Sequence, residues 1–297
     1  MGALLEVLRT GPLSTVQDLG RVGFASVGVG VSGAADRDAL KLANRLVGNP
    51  AGAAAVEVTL GGFAARADQD VTVAVTGAPC PITVDGRSGV FNAPLRIPAG
   101  AVLRLGAPGL GLRSYVAVRG GIDVAPVLGS RATDLLSGIG PEPLRSEVVL
   151  PIGSEPGAPA SDIPAHVPEP VADELELQVV PGPRADWFGT AAFTTLLTEP
   201  YTVTSENNRI GIRLDGPELA RRHHGDLASE GMVPGALQVP PSNRPVLFLV
   251  DHPVTAGFPV IAVVVSADVG KAAQARPGLR LKFTTQQAPS PYDPAPA

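Results

Sequence analysis

The chain of 297 residues carries a formal charge of −5, 44% hydrophobic residues and a single cysteine, Cys80. That balance excludes a nucleic-acid surface, which needs clustered Lys and Arg, and one thiol excludes an internal disulfide or a multi-cysteine metal site. The 35 glycines and 31 prolines, about a fifth of the residues, demand many turns and few long helices, so a β-rich core of Val, Leu, Ile and Ala is expected.

The opening segment MGALLEVLRTGPL breaks its only apolar run at Glu6 and lacks the apolar core of a secretory signal. The longest apolar run, residues 260–265, is far short of the roughly 20 residues that span a bilayer. A cytoplasmic protein is expected, with no membrane or nucleic-acid partner and no metal. Residues 28–33, GVGVSG, fit G-x-G-x-x-G and precede a helical segment, 36–47, with Leu40, Ala43 and Val47 on one face and a stop at Gly48-Asn49-Pro50. A dinucleotide clamp needs a continuous buried strand before the glycines and an acid closing the next strand. Here residues 21–27 are broken by glycine, Glu57 lies in mid-run, and no β–α alternation follows, so the Rossmann reading fails.

Strands are expected at 71–75 and 114–118, the second ending at Arg119-Gly120-Gly121. Residues 153–172, rich in Pro, Ala and acid, read as a linker between an N-terminal domain, 1–152, and a C-terminal domain, 173–286. The second half shows strands at 175–180, 201–204, 246–250 and 260–265 and helices at 186–197 and 269–275, and the tail 287–297 reads as disordered. The class is mainly β, with two barrel-like units carrying one or two helices each. An internal echo fits two related halves: Arg21-Val22-Gly23 with Arg209-Ile210-Gly211, and Val31-Ser32-Gly33-Ala34 with Val233-Pro234-Gly235-Ala236.

Residues 15–24 (TVQDLGRVGF), 30–36 (GVSGAAD), 43–49 (ANRLVGN), 57–62 (EVTLGG), 120–123 (GGID), 128–134 (LGSRATD), 209–217 (RIGIRLDGP) and 229–240 (SEGMVPGALQVP) form an ordered series. That series resembles the biotin-dependent carboxyltransferase family, which includes allophanate hydrolase subunit 2, the C-type subunit of 5-oxoprolinase, an antagonist of a sporulation kinase inhibitor, and the carboxyltransferase part of urea amidolyase. The resemblance implies two cyclophilin-like β-barrel domains working beside a partner such as allophanate hydrolase subunit 1 or a protein like the B-type subunit of 5-oxoprolinase. One block departs: where the family reads Asp-x-Gln-Thr-Thr-Gly-Gly-Tyr-Pro-Lys, this chain has residues 251–260, DHPVTAGFPV, keeping Asp251, Thr255, Gly257 and Pro259.

The reactions so implied act on a small amide, either ATP-dependent opening of 5-oxoproline or carboxyl transfer from carboxybiotin to urea; a non-catalytic regulator of the partner is a third reading. Either reaction builds negative charge on oxygen, which preorganised donors stabilise. Arg21 and Arg209 offer planar forks, and Asp18, three residues before Arg21, is placed to orient it or to form a loop ion pair. Glu57 is a carboxylate inside an apolar run, paired for function or sitting on an edge strand. With Glu230 and Asp251 these are the catalytic candidates. Gln17, Ser32, Gly33, Asn208, Gln238, Thr255 and Gly257 are the substrate-binding candidates. Asp36 reads as a helix cap, and the Ser32–Gly33 turn as an anion-facing turn near the helix's positive end. No phosphate loop and no Ala-Met-Lys-Met site is present, so ATP is expected with the partner protein and biotin only on another protein.

Overall fold

The computed structural model describes residues 2–154, 171, 173–223 and 225–285, and all structural statements below concern those residues. The tail expected at 287–297 and nearly all of the linker expected at 153–172 lie outside them.

In chain order the first half runs β1 (Leu4–Thr10), β2 (Leu13–Gln17), α1 (Arg37–Leu46), β3 (Ala55–Thr59), β4 (Phe63–Ala67), β5 (Val71–Gly77), β6 (Ile82–Val84), β7 (Arg87–Ser88), β8 (Pro94–Ile97), β9 (Val102–Leu105), β10 (Arg113–Val118) and β11 (Val149–Pro151). These strands form a sheet in the order β11-β1-β4-β9-β6-β7 and a second in the order β2-β3-β10-β5-β8. The two sheets enclose one core, in which Val7, Phe63 and Leu103 from the first meet Val56, Val75 and Val116 from the second. All six residues of β10 are buried because its other face is covered by α1, whose Leu40, Ala43 and Leu46 pack on Ala74, Tyr115 and Ala117. Each fully buried Leu of that stripe contributes about 1.5–3 kcal/mol. Helix α1 starts at Asp36, whose carboxylate accepts from the Ala39 N–H at 3.0 Å, so the residue caps the helix as expected.

The second half comprises β12 (Glu174–Pro181), α2 (Thr190–Thr198), β13 (Tyr201–Asn207), β14 (Gly211–Asp215), β15 (Glu230–Gly231), β16 (Ala236–Gln238), β17 (Val246–Phe248), β18 (Thr255–Ala256), β19 (Val260–Val264), α3 (Ser266–Ala272) and β20 (Arg280–Thr284). Seven of these strands close a barrel in the order β12-β19-β16-β17-β14-β13-β20, sealed by a parallel pairing of β12 with β20. Strand alternation fills it: Leu177, Val203, Ile212, Leu237, Leu247, Ile261 and Phe283 all point inward and are buried. A separate ribbon pairs β15 with β18.

The class is therefore mainly β, with antiparallel pairing throughout except β12–β20, and no helix is long and apolar enough to cross a membrane. Two helices are displaced from their expected positions. The segment 186–197 splits into a 3-10 turn, Ala185–Trp187, and α2, because Gly189 supplies the extended N-cap between them. The helix expected at 269–275 begins three residues earlier, at Ser266.

Candidate functional site

The two halves meet across a buried set of charges. Arg209 sits at the tip of the β13–β14 hairpin, where the Asn208 Oδ1 accepts from the N–H groups of Ile210 and Gly211 at 2.8 and 3.1 Å and sharpens the turn. The hairpin tip is pinned beside residue 251 by the bond from the Asp251 N–H to the Arg209 carbonyl, 3.0 Å. Arg209 Nε donates to Asp251 Oδ2 at 2.8 Å, Nη1 to Glu57 Oε1 at 2.5 Å, and Nη2 to Asp251 Oδ1 at 3.0 Å and to the Gly33 carbonyl at 2.6 Å. All three nitrogens of this guanidinium are thus engaged by the protein, which leaves its fork unavailable to the small guest that the sequence led us to expect there.

Glu57 is not on an edge strand. It lies in β3 between β2 and β10, opposite Thr15 and Tyr115, and is 1% exposed. Its Oε2 accepts from the Ala35 N–H at 3.0 Å and the Tyr115 hydroxyl at 2.7 Å, and Arg113 Nε stands 3.7 Å from Oε1. Burial alone would raise the Glu57 pKa, but the guanidinium charges of Arg209 and Arg113 outweigh it and hold the carboxyl below its ordinary value. Burial likewise works against charge on Arg209, and Glu57 and Asp251 overturn that and push its pKa up. Asp251 is saturated too: besides Arg209, its Oδ1 accepts from Ser32 Oγ at 2.6 Å and its Oδ2 from the Leu135 N–H at 3.2 Å. A second tie runs through Gln274, whose Oε1 accepts from the N–H groups of Leu112 and Arg113 and whose Nε2 donates to Asp36 Oδ2, each within 2.9 Å.

The glycine-rich turn is part of this clamp. Ser32 adopts φ +53 and spends its hydroxyl on Asp251 and on the Thr133 carbonyl, so the anion this turn faces is the protein's own carboxylate. The positive end of α1 is already taken by Asp36, whose burial raises its pKa. Gly33 is required on geometry: at φ +90, a Cβ there would lie 2.7 Å from Gly20 N and 2.8 Å from Leu19 C.

Arg21 and Asp18 do not pair. Asp18 Oδ1 accepts from the Gly20 N–H and Ser130 Oγ, and Oδ2 from the Arg131 N–H, so the carboxylate organises its own loop against residues 130–131. Arg21, 1% exposed, donates from Nη2 to the Ala132 carbonyl, and its Nε and Nη1 have no partner. Gln17, also fully buried, donates from Nε2 to the Thr133 carbonyl at 2.9 Å, while its Oε1 and the Thr133 Oγ1 stand unpartnered. Arg21 and Gln17 are thus both tied to the backbone of consecutive residues, 132 and 133.

The remaining candidates sit elsewhere. Glu230 of β15 is half-buried and takes Arg184 as partner, with Thr255 of β18 facing Gly231 across the ribbon and Gly257 just beyond it. Gln238 in β16 donates to the Phe258 carbonyl at 3.0 Å. The structure adds two residues absent from the sequence candidates, Thr133 and His252. Neither stands out by composition or period, although Thr133 lies inside the LGSRATD stretch. His252 is 7% exposed, its Nδ1 lies 2.8 Å from the Pro253 carbonyl, and burial lowers its pKa, so the ring is neutral near pH 7. A Cβ placed on Gly30 would stand 3.7 Å from the His252 carbonyl and 4.0 Å from Asp134 Oδ2, so the 28–33 turn lies against both.

A model of the carboxyltransferase domain, subdomains A and B, matches residues 27–285. The chain is 38% identical to the C-type subunit of 5-oxoprolinase from Escherichia coli over 283 residues, covering 94% of this chain and 90% of that protein. Its fold matches the solved structure of the protein designated TTHA0988 with TM-score 0.86 and 34% identity, covering 95% of this chain but only 56% of that one. It also matches the Kluyveromyces lactis urea amidolyase with TM-score 0.90 and 28% identity, covering 96% of this chain and 19% of that one.

Proposed function

The chain belongs to the carboxyltransferase-domain family, subdomains A and B, and from that premise we propose that it is one subunit of an ATP-dependent amidohydrolase opening the lactam of 5-oxoproline. The observation that carries this reading is the likeness to the C-type subunit of 5-oxoprolinase, closer in identity than the likeness to urea amidolyase and extending over nearly the full length of both proteins. Residues 1–152 and 173–286 are its two lobes, and a protein like the B-type subunit of 5-oxoprolinase is its partner.

The local chemistry fits an amide guest. Arg21 presents guanidinium donors in a water-poor setting, which stabilises negative charge growing on a lactam oxygen. Gln17 and Thr133 leave an amide oxygen and a hydroxyl without a protein partner. The same residues do not fit a nucleotide triphosphate. Arg21 supplies a single cation, and the carboxylate of Asp18 stands on the same loop, a poor match to a polyphosphate. ATP therefore belongs with the partner in this reading.

A second reading, carboxyl transfer to urea or a related amide from carboxybiotin carried on another protein, is favoured by the fold match to urea amidolyase. Purified complex with ATP and 5-oxoproline separates the two. Glutamate formation insensitive to avidin supports the amidohydrolase; avidin-sensitive carboxylation of urea without glutamate refutes it.

A further inference from the structure

The most exposed large hydrophobic side chains among the described residues are Val22 and Val27, 76% and 72% exposed, and both stand on the loop that joins β2 to α1. That loop is held in one shape. The Arg21 N–H closes its base on the Val31 carbonyl at 2.8 Å, and inside it the N–H groups of Val27 and Val29 reach the Phe24 carbonyl at 3.1 and 3.2 Å. A second exposed pair, Val127 and Leu128, sits on a tight turn in which Val127 and Ser130 exchange backbone bonds. Leu128 takes φ +52 there, a left-handed conformation that strains a branched side chain, and no burial of that side chain offsets the strain. The two loops share a base. Ser130 Oγ and the Arg131 N–H donate to Asp18, Arg21 bonds the Ala132 carbonyl, and a Cβ at Gly140 would stand 2.9 Å from Arg21 Nη2. Leu136, also exposed, lies on that same stretch.

Charge is missing from this surface. Residues 22–29, 124–130 and 135–140 contain no Asp, Glu, Lys, Arg or His, in a chain that is 17% charged. Together they are about twenty residues, the usual number on one side of a stable protein interface, whose centre is depleted of charge in this way. Apolar side chains held out on stiff loops need little further ordering when they bind. A lipid surface fits less well, because anchoring to it draws on Lys and Arg beside the apolar residues. Arg131, between two of these stretches, is spent on Asp123 and the Val124 carbonyl. The solved relative TTHA0988 matches this fold over only 56% of its polypeptide, so there a further stretch of protein is tethered to it. We propose that loop 22–29, with Leu128 and Leu136 on the loop beside it, is a docking knob for a partner protein that offers an uncharged apolar recess. Naming that partner as the B-type subunit rests on the amidohydrolase reading; the position and chemistry of the knob rest on the structure.

The experiment is calorimetric titration of the full chain with the B-type subunit of 5-oxoprolinase from the same organism, purified apart. Val22→Asp and Val27→Asp should each weaken the complex by about tenfold or more while the melting temperature holds, since both side chains stand in solvent. Val149→Asp, at an exposed valine of β11 outside these loops, should leave the affinity within about twofold. Unchanged affinity in both loop variants, or no complex between the two proteins, overturns the inference. A dimer of the chain alone that either substitution dissolves, measured by sedimentation, also overturns it by assigning the knob to a second copy. So does co-sedimentation of the chain with anionic phospholipid vesicles that the substitutions abolish. Glutamate formation from 5-oxoproline and ATP separates the knob from the functional reading. Turnover by a complex that the loop variants do not weaken sinks the knob and spares the amidohydrolase. A knob-dependent complex without turnover does the reverse.

Discussion

Replacing Arg209 by Met removes the cation that two buried carboxylates share. Glu57 Oε1 loses its bond at 2.5 Å, Asp251 loses its bonds at 2.8 and 3.0 Å, and the Gly33 carbonyl loses one at 2.6 Å. Breaking a buried pair by removing one partner costs about 3–5 kcal/mol, because the other charge stays buried without compensation. At roughly 2 °C per kcal/mol for a chain of this size, the melting temperature should fall by about 6–10 °C at pH 7. The pH dependence has a definite sign. In the intact protein Glu57 is held below its ordinary value of 4.5, so its stabilisation is complete above that pH and is lost as pH falls through the depressed value. In the variant Glu57 loses its strongest counter-charge, burial pushes its pKa up instead, and acidification relieves the buried charge. The gap between the two proteins should therefore be widest at neutral pH and narrow towards pH 5. Scanning calorimetry from pH 5 to 8 measures it, and a drop under about 2 °C, or a gap that does not change with pH, refutes the argument.

Gly33→Ala forces a Cβ into the backbone of residues 19 and 20 at a positive φ and should cost about 3–5 kcal/mol, read by urea denaturation. Asp36→Ala removes the α1 cap and the Gln274 contact and should cost about 1–2 kcal/mol, whereas Asp36→Asn keeps an acceptor and should lose less than half of that in the same assay. By contrast Asp70→Asn breaks an exposed pair with Arg96, and the melting temperature should stay within about 1 °C of the parent.

The class and six of the twenty strands among the described residues were legible because alternation and turn residues are local signals. Residues 114–118 and 260–265 were expected as strands; the first lie in β10 and all but Val265 of the second in β19. Helix α1 was legible through its periodic apolar face and its Gly-Asn-Pro stop, and Asp36 through its position before that face. The role of Glu57 was not legible. A charge inside an apolar run marks either an edge or a buried pair, and the partner that decides between them lies 152 residues away. A longer separation, 219 residues, hid the fate of Ser32, whose bond to Asp251 turns a ligand-like glycine turn into an internal tie. Arginine forks were read as grips on a guest because sequence shows the fork and not its occupants; structure separates Arg209, which is fully occupied, from Arg21, which is not. The echo between the two halves located both arginines without telling them apart.

The tie between Glu57, Arg209 and Asp251 sets a rule for recombination. A chimera that joins the first half of this chain to the second half of a relative draws the acid of β3 from one parent and the cation with its second acid from the other. Such a hybrid stays intact only where the donor brings a matching arginine and aspartate. Elsewhere an orphan ion is sealed into the seam, and halves that are each sound in their own parents will not keep company.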